Sequence, residues 1–115
     1  MKGQHTYIDY LKDTLEAIEK ATMFIEGIGY EEFSRDAKTV YAVIRALEIV
    51  GEASKKIPQE VKDHYQEIPW REIAGMRDKL VHDYFGVNQV VVWKAVSEDL
   101  PGIEPLLRRM LADVL

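Results

Sequence analysis

The sequence contains no cysteine, which excludes a disulfide framework and any thiolate metal site and leaves packing as the source of stability. That suits a reducing cytosol, and a cytoplasmic protein is the expectation. No apolar run approaches the roughly 20 residues that a bilayer span requires. The N-terminus, Met1-Lys2-Gly3-Gln4-His5, leads directly into a charged segment rather than an apolar leader. Basic charge is also scarce: 15 Lys and Arg stand against 20 Asp and Glu, a net charge of −5. A protein that holds nucleic acid on a broad, sequence-independent basic surface is thereby disfavoured, and an RNA ligand would have to be engaged by a local cluster of cations. Metal and cofactor motifs are missing as well. There is no Gly-rich phosphate loop and no His-Glu-x-x-His helix, and Val61 and Lys79 stand where the Glu-x-x-His of di-iron bundles would need glutamate before His64 and His82. No cofactor is expected. His5, near a terminus, and His64, in a polar connector, read as solvated surface histidines.

What remains is a chain of 115 residues with 47% hydrophobic content, suited to one domain spanning residues 1–115 with its own core. Nothing repeats and nothing is low in complexity. From Thr6 to Glu26, the residues Ile8, Leu11, Leu15, Ile18, Thr22 and Ile25 recur at spacings of three and four, the mark of an amphipathic helix. Gly27 and Gly29 supply its stop. Ser34 or Asp36 can cap a second helix running to about Lys56, before Pro58. Its apolar residues occupy two sides: Val40, Val43, Ile44, Leu47, Val50 and Ser54 on one, Ala42, Ala46, Ile49 and Ala53 on the other. A helix apolar over most of its girth is either central in its domain or shared with a second subunit. In a chain this short, sharing is the more economical explanation, and it predicts a homodimer.

Residues Pro58 to Pro69 are polar and suit a turn or a fragment of helix. A third helix then runs from Trp70 to Phe85 and ends at Gly86. Asn88 can cap a fourth, from Gln89 to about Glu98, although the β-branched run Val90-Val91-Val92 favours a strand locally. After Pro101, the residues Ile103, Leu106, Leu107, Met110, Leu111 and Val114 define a C-terminal helix. The expected fold is all-α, an antiparallel bundle of four to five helices.

Within the third helix, at about 100° per residue, Trp70, Ile73, Ala74, Met76, Leu80, Val81, Tyr84 and Phe85 share one broad apolar arc with Arg77 near its middle. An unpaired cation there would cost several kcal/mol or more to bury. Arg77 must therefore meet a carboxylate, line a wet cleft or face a subunit boundary, and Glu48 and Glu52 are its plausible partners. His82 lies at the edge of the arc, with Asp78 one turn before it and able to orient or activate the imidazole. This set suits metal-free RNA cleavage. A histidine near its usual pKa of roughly 6.5 serves as acid or base, and an arginine fork stabilises charge building on a phosphate. The same residues also suit a salt-bridged arginine beside a boundary histidine.

The run from Ile68 to Val87, IPWREIAGMRDKLVHDYFGV, closely resembles the signature of HepT-like proteins of the HEPN superfamily. The resemblance extends to Arg45-Ala46-Leu47-Glu48-Ile49-Val50-Gly51-Glu52-Ala53, to Val92-Trp93 and to Glu98-Asp99-Leu100-Pro101, and so covers nearly the whole chain. The motif is an arginine, four residues, a histidine, one residue and a tyrosine, matched by Arg77, His82 and Tyr84. The resemblance implies a helical-bundle homodimer and a metal-independent endoribonuclease site at the dimer cleft, with Arg77 and His82 catalytic and Asp78 supporting. It further implies a toxin paired with a minimal nucleotidyltransferase antitoxin of the MntA type, which would silence it by adenylylating Tyr84. Asp78 stands where many relatives carry asparagine, and its carboxylate lowers the local positive potential. The competing expectation is a helical interaction subunit that docks a nucleotidyltransferase and cuts nothing.

Overall fold

The computed structural model describes residues 6–81 and 88–115, with the side chains of residues 79–81 outside the description. Among the described residues every regular element is helical: α1 (Tyr7–Phe24), α2 (Tyr30–Arg35), α3 (Ala37–Lys55), α4 (Gln59–Lys62), α5 (Trp70–Val81), α6 (Gln89–Lys94) and α7 (Leu100–Val114). A π-helical turn, Ala95–Asp99, joins the last two into one continuous rod. Four rods therefore make the bundle, namely α1, α3, α5 and the α6–α7 unit, in keeping with the all-α architecture read from the pattern.

Local chemistry sets the boundaries. Thr6 caps α1 in a capping box: its hydroxyl accepts from the Asp9 amide at 3.4 Å while the Asp9 carboxylate accepts from the Thr6 amide at 3.1 Å. Just beyond the other end, Gly27 takes φ +80°, a left-handed conformation that glycine adopts without a Cβ penalty. Leu11, Leu15 and Ile18 are buried as their spacing predicts, and Thr14, Ala17 and Ala21 widen the buried face. Asp36, not Ser34, caps α3, accepting from the Thr39 amide at 3.2 Å and the Thr39 hydroxyl at 2.7 Å. Those bonds hold its carboxyl below the ordinary carboxylate range. Ser34 instead donates to the Glu31 carbonyl at 2.9 Å, inside α2.

Helix α3 is the centre of the bundle, with α1 packed along one side and α5 across another. Val40, Val43, Leu47 and Val50 enter a core shared with Leu11, Ile18, Ile73, Met76 and Leu107. The second apolar row is largely consumed within the chain too, since Ala46 and Ala53 are buried while Ala42 and Ile49 are only half-covered. Centrality therefore accounts for most of the two-sided apolar character that the pattern had assigned to a second subunit. Helices α1 and α3 run antiparallel: Lys56, after the end of α3, lies 5.4 Å from the Tyr10 ring centroid in the first turn of α1.

The short α2 is absent from the sequence reading. It exists to deliver Phe33, fully buried, against the Trp93 ring at 5.2 Å between centroids, with Tyr30 edge-on to the same ring at 6.1 Å. The valine run of α6 is helical despite its β-propensity. The Asn88 side chain accepts from the amides of Val90 and Val91 at 3.0 and 3.3 Å, and Val92 is completely buried. The π turn that follows contains Ser97, the residue four before Pro101. In a regular α-helix the proline ring would clash with that carbonyl, and the widened turn relieves the clash without ending the rod.

Candidate active site

The site is organised where α3 crosses α5. A Cβ added at Gly51 would lie 2.9 Å from the Arg77 Cβ, 3.0 Å from the Ala74 carbonyl oxygen and 3.0 Å from the Arg77 nitrogen. The two backbones are thus as close as a missing side chain permits. Ile73 and Met76, both fully buried, fix the rotation of α5 about its axis. With that rotation set, Arg77 leaves the seam toward solvent.

Its side chain is half-exposed, at 47%, and its Nε lies 3.6 Å from Glu52 Oε2 on α3. One turn further along α3, Lys55 Nζ lies 4.0 Å from Asp78 Oδ1. Two opposite-sign pairs therefore bridge the crossing side by side. Exposed pairs of this kind contribute about 0–1 kcal/mol to stability, so their consequence is orientation. Among the described residues this single contact at 3.6 Å is its carboxylate partner, and it leaves most of the five guanidinium donors uncommitted. The site presents a cation held by a glycine-tight crossing, partly offset by one carboxylate and open to an anionic ligand.

Of the residues anticipated from sequence, Arg77 meets a carboxylate at an exposed boundary, one of the three solutions foreseen. Glu52 is that partner, whereas Glu48 lies 3.3 Å from Arg45 instead. Asp78 faces Lys55. His82 and Tyr84 lie outside the described residues. Two contributors escaped the sequence reading: Gly51, whose role appears only once α5 is laid across it, and Lys55, one turn beyond it on the same helix. Among the described residues no three His, Cys, Asp or Glu side chains converge as a set able to hold a metal ion.

A second feature borders the site. Between α1 and α3 runs an open groove of ≈ 290 Å³ whose lining includes Asp13, Glu16, Arg45, Ile49 and Glu52. It passes into an apolar hollow of ≈ 280 Å³ that reaches Phe24 and Ala42. Charges of both signs line it, Asp13, Glu16 and Glu52 beside Lys20, Arg45 and Lys56, with Glu16 3.9 Å from Lys20, while Glu52 joins the groove to Arg77.

No helix among the described residues is long and apolar enough to cross a membrane. The fold and site define a small helical bundle whose central helix sets an exposed arginine beside an open groove. The model of the ribonuclease HepT-like family matches residues 14–110, and the chain belongs to that family. A protein named as a probable ribonuclease HepT in Thermococcus cleftensis is 56% identical over 104 residues, covering 90% of this chain and 93% of its own. Proteins with provisional RNase names in Methanocaldococcus jannaschii and Caldanaerobacter subterraneus are 41% and 40% identical, covering 91% and 89% of this chain and 87% and 91% of their own. No solved structure matches significantly.

Proposed function

We propose that the protein is a metal-independent endoribonuclease, the toxin of a toxin–antitoxin pair, that cuts RNA by attack of the ribose 2′-hydroxyl on the adjacent phosphate. The observation that carries this reading is the half-exposed Arg77 guanidinium, held at the α3–α5 crossing with donors to spare. Family membership supports ribonuclease activity. His82, five residues after Arg77, is the residue proposed to handle protons. As base it removes the 2′-hydroxyl proton; the oxygen attacks phosphorus, the bond to the 5′-oxygen breaks, that leaving oxygen takes a proton from water, and the proton held by His82 returns to solvent. The products are a 2′,3′-cyclic phosphate and a 5′-hydroxyl. Arg77 stabilises the charge that develops on the phosphorane oxygens. Asp78 supports the site from the next position on the helix. Arg77→Ala and His82→Ala should each remove RNA cleavage while the melting temperature stays near that of the parent. Retained cleavage in either would refute the assignment.

The enzyme is proposed to act as a homodimer through the α1–α3 groove. A two-fold axis through the half-covered Ile49 would set the apolar floor of the groove and its mixed acidic and basic rim on the same surface of a second copy, the self-complementarity an isologous interface requires. Sedimentation should give about twice the 13.3 kDa chain mass, and Ile49→Asp should return the monomer. A monomer in the unmodified protein at micromolar concentration would contradict this.

Tyr84 is proposed as the control point, adenylylated by an MntA-type nucleotidyltransferase antitoxin. The added phosphate would occupy Arg77 and obstruct the cleft. Intact-mass analysis after co-expression should show an added AMP that disappears in Tyr84→Phe. Persistence of that mass in the variant, or cleavage by the modified protein, would refute the role.

A further inference from the structure

The helix that carries Arg77 begins in a second basic pocket. Gln59, Lys62, Trp70, Arg71 and Ala74 frame an open cavity of ≈ 390 Å³ between α4 and the first turns of α5. Lys20, Arg35, Arg45, Lys55, Arg77, Lys94 and Arg108 each lie within ion-pair distance of a carboxylate. Among the described residues Lys12, Lys38, Lys56, Lys62, Arg71 and Arg109 have no such partner, and of these Lys62 and Arg71 line the same cavity.

Lys62 is also held in place. Its Nζ lies 5.6 Å from the Trp70 ring centroid, and that ring is fixed in turn by its indole N–H donating to the Tyr65 carbonyl at 3.0 Å. Partial burial pushes the Lys62 ammonium below its ordinary pKa, with no carboxylate to offset the effect. A positioned, partly dehydrated ammonium beside an exposed guanidinium is an arrangement that an incoming anion completes. In a chain of net charge −5, this is a local cation pair of the kind an RNA strand needs. Arg71 precedes Arg77 by six residues, about 9 Å along the helix axis and about 120° around it, and Ala74, which lines the cavity, stands one turn from each.

We propose that Lys62 and Arg71 form a phosphate subsite for the RNA backbone, gripping a phosphate a few nucleotides from the one cut at Arg77 and leading the strand along and around α5. The inference rests on the ribonuclease reading and adds to it the path of the substrate. Trp70 serves as a positioning residue for Lys62.

The test is fluorescence anisotropy with a short, labelled 2′-O-methyl oligoribonucleotide, which cannot be cut through its blocked 2′-oxygens, run beside RNA cleavage by the unmodified protein. The double variant Lys62→Gln/Arg71→Gln should bind on the order of tenfold more weakly, and its plot of log affinity against log salt should be shallower by about 0.7, the value for one lost single-strand phosphate. Its melting temperature should hold, and Arg35→Gln, which alters a distant paired cation, should bind as the parent does. Displacement of the probe by a free mononucleotide as effectively as by unlabelled RNA would point to a nucleotide pocket and overturn the proposal. Cleavage by the parent together with unchanged affinity and salt slope in the double variant removes the subsite and leaves the ribonuclease reading intact. Weakened binding with a shallower slope, in a protein that cuts no RNA, supports the subsite and removes that reading instead.

Discussion

Two glycines, one on each helix of the crossing, should respond to the same substitution with opposite signs. At Gly51 an added methyl would stand 2.9 Å from the Arg77 Cβ and 3.0 Å from both a carbonyl oxygen and a backbone nitrogen of α5. Backbone atoms cannot swing aside, so the helices must separate by a few tenths of an ångström. Overpacking of this kind costs about 1–3 kcal/mol, against roughly 1 kcal/mol gained from alanine's better helix propensity. Because the clashing atoms belong to backbone and Cβ, the overpacking cost falls in the upper part of that range, about 2–3 kcal/mol, and Gly51→Ala should lose about 1–2 kcal/mol net. At Gly75, inside α5, nothing lies within 4 Å of the added atom. Gly75→Ala should therefore keep the propensity gain of up to about 1 kcal/mol. For a chain of 115 residues, 1 kcal/mol shifts the melting temperature by about 4 °C. Thermal denaturation followed by circular dichroism should place Gly51→Ala about 4–8 °C below the parent and Gly75→Ala up to about 4 °C above it. RNA cleavage should fall in Gly51→Ala because Arg77 moves with α5. A Gly51→Ala variant that melts at or above the parent would refute the close crossing on which the site depends.

Acid should reveal the α3 cap. The Thr39 bonds hold the folded Asp36 carboxyl below 3.8, so its contribution is complete above that value and disappears as pH falls through the lower folded pKa. Asp36→Ala should thus melt below the parent near neutrality, and the gap should close in strong acid; a gap independent of pH would contradict the cap. Dimer formation through Ile49 and silencing at Tyr84 are tested by sedimentation and intact mass as set out above.

How much of this was legible depended on whether the cause was local. The α1 seam, its glycine stop and the Asn88 cap could be read directly because each is fixed by neighbours in sequence. Helix α2 could not: it is six residues long with one buried side chain, and Phe33 is placed by Trp93, far away along the chain. The girth of α3 was visible, but whether α1 and α5 or a second subunit covered it is a tertiary fact. Arg77 announced itself as a cation on an apolar arc. Which glutamate it would meet was undecided, because Glu48 and Glu52 stand one turn apart and only the crossing at Gly51 selects the second. Lys62 and Arg71 carried no signal at all, since their pocket forms only when α4 lies against the start of α5.

The chemistry of the cut ends tests the central claim most directly. Defined RNA incubated with the protein in excess EDTA, with products resolved by mass spectrometry, should yield 2′,3′-cyclic phosphate and 5′-hydroxyl termini, while DNA of the same sequence stays whole. Activity lost on chelation, or product carrying a 5′-phosphate, would contradict attack by the 2′-hydroxyl at the Arg77 site.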